Sequence, residues 1–185
     1  MKMTMYFIAL VLPKSLDEKV LYWKNYMYQH YGCRVGLKSP AHITIVPPFW
    51  MQEENEKMLL ADIDDLAITF SPFSIRTKNF SAFKPRTIFI DVEKTDALTG
   101  LKDTTDLFFK HNRPYKIQPD SRPFHPHITI ATRDLFKKSF YEAWPIFEKE
   151  RFEEEWLADS LSALRHNKKN WDVIQTSQFI MHSKT

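Results

Sequence analysis

The tetrapeptide His42-Ile43-Thr44-Ile45 recurs unchanged as His127-Ile128-Thr129-Ile130, one copy in each half of the chain. Each copy is short, apolar and β-branched, the pattern of a strand. Side chains alternate faces along a strand, so histidine and threonine share one face in each copy while both isoleucines turn the other way, into a core. The chain has 7 histidines in 185 residues, and at ordinary residue frequencies a second identical tetrapeptide around one of them does not arise by accident. The repeat therefore predicts two halves related by approximate symmetry, with a histidine–threonine pair from each facing one groove.

The rest of the chain fits this plan. Thr4 to Val11 reads as an opening strand ended by Pro13, and the spacing of Leu16, Val20, Trp23, Met27 and Tyr31 predicts a helix capped by Ser15 and closed by Gly32. His42 to Val46 is a strand that Pro47 and Pro48 should stop, followed by an acidic helix over Gln52 to Leu66. Strands follow at Ser71 to Phe83 and Thr87 to Val92, then a helix capped by Asp96 and running to about His111. Asn112 to Pro123 is a proline-rich, basic loop, and a strand covers His127 to Ala131. Leu135 to Phe152 has helical spacing interrupted by Pro145, and the runs Trp156 to Arg165 and Trp171 to Ile180 flank a hairpin turn at Asn167 to Asn170. This order is α+β, in two interleaved lobes within one domain spanning residues 1–185.

Composition narrows the function. Apolar runs such as Tyr6 to Leu12 are far too short to cross a bilayer, and no cleavable leader follows the first residues, so a cytoplasmic protein is expected. Cys33 is the only cysteine, which excludes an intrachain disulfide and a cysteine-rich zinc site. A net charge of +3 is too small to grip long duplex nucleic acid. The expected partner is a nucleotide or an RNA end carrying a phosphodiester, handled by a monomer with no obligatory protein partner, no metal and no cofactor.

Displacement at phosphorus suits two imidazoles. The attacking oxygen must lose a proton while the leaving oxygen gains one, and a ring pKa near 6.5 lets one histidine be neutral and the other protonated. Either His42 or His127 can take either role. Thr44 and Thr129 hydroxyls would donate to the non-bridging phosphoryl oxygens and stabilise developing charge.

These elements resemble the signature of the two-histidine phosphoesterases, a family that includes bacterial 2',5'-RNA ligase and RNA 2',3'-cyclic phosphodiesterases and carries two His-x-Thr-x motifs. The first motif here continues to Pro48-Phe49, and the second, Phe124-His125-Pro126-His127-Ile128-Thr129-Ile130, resembles the Pro-His-x-Thr form of small bacterial members. The resemblance implies a bilobal, pseudo-symmetric α+β fold, with two mostly antiparallel sheets flanking a central groove and helices outside. It also implies metal-independent action on 2',3'-cyclic phosphate or 2',5'-linked substrates, with His42, Thr44, His127 and Thr129 at the reacting centre. Arg133, just past the second motif, and Phe49, just past the first, are further candidates for holding phosphate and base.

Two rival readings share these residues. A nucleotide-binding module without turnover would keep the groove, and a zinc hydrolase would use His42, His125 and His127. The paired threonines speak for phosphoryl binding over the zinc site. Phe83 and Trp50 are candidate stacking surfaces, and Lys168-Lys169 sits at a hairpin tip able to meet an RNA strand.

Overall fold

In a computed structural model the described residues are 2–111, 115, 117 and 122–182. Eight strands and four helices run in the order β1 (Met3–Val11), α1 (Lys14–Tyr31), β2 (His42–Gln52), α2 (Glu56–Ala67), β3 (Phe73–Phe83), β4 (Thr87–Val92), α3 (Asp96–His111), β5 (His127–Ala131), α4 (Lys137–Phe147), β6 (Glu155–Ala158), β7 (Ser160–His166) and β8 (Trp171–Gln178). The fold is α+β, as the sequence implies. Most of the predicted basic loop at 112–123 lies outside the described residues.

All strand pairings are antiparallel, in the spatial order β6-β3-β4-β5-β2-β1-β7-β8. Two sets of four strands meet where β2 joins β5 through the pair Ile43–Ile128. The ladder cannot be flat. β6 and β7 lie far apart in it, yet Ala158 and Ser160 are separated only by Asp159, and two residues of chain span at most ~7 Å. The sheet must curl until its ends approach, leaving a concave face.

Helices cover the convex face in a crossed arrangement. α1, from the first half, packs on β5 of the second, while α3, from the second half, packs on β2 of the first. One continuous core results, in which Ile43, Ile45, Ile128 and Ile130 are sealed from solvent. Truncating any one of these to alanine should cost about 2–5 kcal/mol.

Local departures from the sequence pattern have identifiable causes. β2 runs through Pro47 and Pro48, because β1 pairs Ile8 with Val46 and Tyr6 with Phe49, so that Phe7 alone faces both prolines in a bulge. The β2–β5 ladder is confined to the strand's other end, so the missing proline N–H groups break no pairing on that side. The predicted helix caps also shift. α1 begins after Pro13 with no side-chain cap, and Thr95, not Asp96, caps α3 by accepting from Leu98 N–H at 3.2 Å. The run Trp156 to Arg165 splits at Asp159 into two strands with different partners, whereas the 167–170 turn forms as expected, with Asn167 Oδ1 accepting from the N–H groups of Lys169 and Asn170.

Candidate active site

Antiparallel pairing of Ile43 with Ile128 fixes everything around it. One residue along, His42 falls opposite Thr129 and Thr44 opposite His127, so an approximate two-fold axis passes between the isoleucines. All four polar residues share the concave face and are half-buried, while the four isoleucines are buried beneath them. The repeat thus places two histidines diagonally across one ladder.

Each imidazole is held the same way. His42 donates Nδ1–H to the Pro40 carbonyl at 2.7 Å, and His127 donates Nδ1–H to the His125 carbonyl at 2.7 Å. A carbonyl oxygen only accepts, so both rings are fixed as Nδ1–H when neutral and Nε2 carries the lone pair. The loops behind them match too: Leu12 N–H donates to Ala41 O at 3.0 Å in one half, and Val92 N–H to Pro126 O at 3.3 Å in the other.

The surroundings break the symmetry. The cross-strand neighbour of His42 is Val11, and that of His127 is Asp91. Burial pushes the His42 ring from 6.5 down to about 4, with the Pro40 hydrogen bond opposing and the charges of Lys24 and His127 assisting. Burial also lowers His127, with the His125 hydrogen bond and the Asp91 carboxylate opposing and the charges of His125 and Arg122 assisting. Both rings favour the neutral form, His42 more firmly.

Aromatic rings pack beside each histidine. Phe7 lies 4.8 Å from the His42 ring, and Trp171 meets Phe7 edge-on at 4.6 Å, with His166 4.9 Å from Trp171. Phe7, Ala9 and Leu164 form a small apolar cluster with Val11 and Trp171, separate from the main core. In the other half Phe89 lies 5.0 Å and Phe83 5.4 Å from the His127 ring, and Phe83 is 45% exposed. Phe7 and Phe89 are buried behind the histidines, so the rings that can offer a face to a flat heterocycle are the part-exposed Trp171 and the exposed Phe83.

Of the two further candidates, Phe49 does not join this site. Phe49 is buried against Tyr6 in the main core, 6.3 Å between ring centres, so it packs rather than lining the groove. Arg133 follows the end of β5 in a bend, with a φ of 51°, and is exposed. Its neighbour Asp134 accepts from the N–H groups of Arg34 and Val35, which explains the sharp turn there. Trp50 is exposed on the far end of β2.

His125 Nε2 meets Asp91 Oδ1 at 2.9 Å, and its ring centre lies 6.2 Å from that of His127. Among the described residues, no three His, Cys, Asp or Glu side chains gather closely enough to hold a metal ion. Sequence reasoning passed over Phe7, Trp171, Lys24 and Asp91. Phe7 and Trp171 sit in runs that read only as strands, and Lys24 reads as the polar face of a helix. Among the described residues no helix is long and apolar enough to cross a membrane.

Comparison with known proteins gives the family and the fold. Residues 13–170 match the model of the 2'-5' RNA ligase superfamily. A candidate phosphoesterase of Geobacillus kaustophilus is 29% identical over 132 residues, covering 70% of this chain and 69% of its own. A crystal structure from Thermus thermophilus superposes with a TM-score of 0.69 at 20% identity, covering 94% of this chain and 97% of its own. Escherichia coli LigT complexed with 3'-AMP gives a TM-score of 0.65 at 15% identity over 97% of this chain and 100% of its own, and that protein has also been crystallised with ATP and with NADP+. Those two likenesses concern the fold.

Proposed function

The chain belongs to the 2'-5' RNA ligase superfamily, and from that membership we propose that it is a metal-independent phosphodiesterase that opens 2',3'-cyclic phosphates or cleaves 2',5'-linked nucleotides. The observation that carries this reading is the matched tethering of His42 and His127. Each gives Nδ1–H to the carbonyl two residues before it, which leaves both Nε2 atoms for the chemistry.

One Nε2 accepts a proton from water as the water oxygen bonds to phosphorus. The phosphorus–ribose oxygen bond breaks, and the other ring gives its Nε2 proton to the departing oxygen. The pair finishes with its proton on the opposite ring, and exchange with solvent restores the start. Thr44 and Thr129 flank the histidines on the same face, where their hydroxyls donate to the non-bridging oxygens as charge accumulates. Of the neighbouring aromatics, Trp171 and Phe83 have the accessible surface to take the base. The binding of nucleotides by LigT supports the same ligand class here.

The test is a panel of 2',3'-cyclic nucleotides, ADP-ribose cyclic phosphate and 2',5'-linked dinucleotides, scored for product by mass with EDTA present. Turnover of at least one member that persists in excess EDTA is expected. Activity lost to EDTA and restored by zinc would replace this mechanism with a metal-dependent one, and no product from any member would leave a nucleotide-binding module.

A further inference from the structure

Lys24 is only 4% exposed on α1, and the chemistry above makes no use of it. A buried ammonium is costly to keep, so what it touches is informative. Its Nζ donates to the Ser39 carbonyl at 3.0 Å, while Asp17, two turns earlier on the same helix, accepts at Oδ1 from Ala41 N–H at 2.6 Å. Lys24 and Asp17 therefore grip the segment Ser39-Pro40-Ala41, and Pro40 is the residue whose carbonyl fixes the His42 ring. Burial lowers the ammonium from 10.5 to about 8, with Asp17 opposing, which leaves it charged at neutral pH.

The second half does this job with the opposite sign. Asp91 lies directly across β4–β5 from His127 and binds His125 Nε2 at 2.9 Å, so a carboxylate steadies the segment whose carbonyl fixes the second ring. The charged and titratable groups acting on His42 are Lys24 from α1 and His127 from β5. Those acting on His127 are Asp91 from β4, and His125 and Arg122 from the segment before β5.

We propose that Lys24 and Asp91 are positioning residues of opposite charge that assign the two imidazoles their roles, Lys24 keeping His42 unprotonated as the base and Asp91 favouring the proton on His127 as the acid. This rests on the two-histidine reading of the site. Burial disfavours the charged form of both rings. Two neighbouring rings that repel as cations hold one proton between them most readily, and flanking charges add to burial in setting which ring keeps it. A bound phosphate anion draws that proton in, and it settles on the ring beside the carboxylate.

The test is NMR titration of the two imidazoles in the full chain, which needs no turnover, with resonances assigned by His42→Gln and His127→Gln. In the unaltered protein His127 should titrate above His42. Lys24→Met should raise the His42 midpoint by about half a unit or more, Lys24→Arg should not, and Asp91→Asn should lower the His127 midpoint. On an active substrate the acid limb of kcat/KM moves up in Lys24→Met, and the basic limb moves down in Asp91→Asn. A wild-type order with His42 above His127, or midpoints indifferent to both charge removals, overturns the proposal. So does an equal shift in Lys24→Met and Lys24→Arg, which means packing rather than charge. Should Lys24→Met fail to fold, Asp91→Asn and the wild-type order still decide. Failure of the substrate panel with these shifts intact would count against the reaction and not against the charge assignment.

Discussion

Gly36 lies so near Ile130 that a Cβ added to it would stand 2.2 Å from the Ile130 carbonyl oxygen. The short 3-10 turn at Val35–Lys38 is thereby pressed against β5, one residue from Thr129. Backbone cannot retreat as a side-chain tip does, so Gly36→Ala must displace the turn or the strand. A stability loss of about 1–3 kcal/mol is expected in denaturant titration. A fall in kcat of about tenfold or more should accompany it, because misplacement of the strand carries His127 with it.

Replacing His42 or His127 by alanine should lower kcat by about 10²–10⁴ with the fold intact, as judged by circular dichroism. The double replacement should be scarcely worse than either single one, since the rings act in one step. Fully additive losses in the double variant would argue that they act separately.

Stability should fall with acid over a defined window. Burial holds His42 from 6.5 down to about 4, so the folded state binds fewer protons than the unfolded chain between those values. The contribution is fully present above about pH 6.5 and is lost as pH falls through about 4, and burial of His127 acts in the same direction. Thermal unfolding of His42→Gln should show a shallower decline across this range than the unaltered protein.

Trp171 provides a separate handle on base recognition. Trp171→Ala should raise KM for a nucleotide substrate by about tenfold or more, in line with ~1–3 kcal/mol per stacked base. Hydrolysis of bis(p-nitrophenyl) phosphate, which has no base, should change little. Equal losses on both substrates would show that the ring only supports Phe7.

The repeat made most of this architecture readable in advance. His42, Thr44, His127 and Thr129 could be assigned to one face from the alternation of a strand alone, and the buried isoleucines came with them. Phe49, six residues after Ile43, keeps the parity of the buried isoleucines because the two irregularities in β1–β2 pairing cancel. Alternation alone therefore places it in the core, and its proximity to the first motif misleads. Arg133 sits in the bend after Ala131 with a left-handed φ, a local conformation that strand alternation does not encode. Lys24 was invisible for another reason: its burial depends on the crossing of α1 onto β5, a contact between halves that local periodicity does not encode.

That exchange of helices between the halves also bears on why both sit in one polypeptide. Two copies of a shorter chain, paired about a true dyad, would complete the same cradle but would present each ring with an identical environment. Covalent linkage lifts that restriction: a cation can grow beside one ring and an anion beside its twin, so that chemically equal groups come to do unequal work.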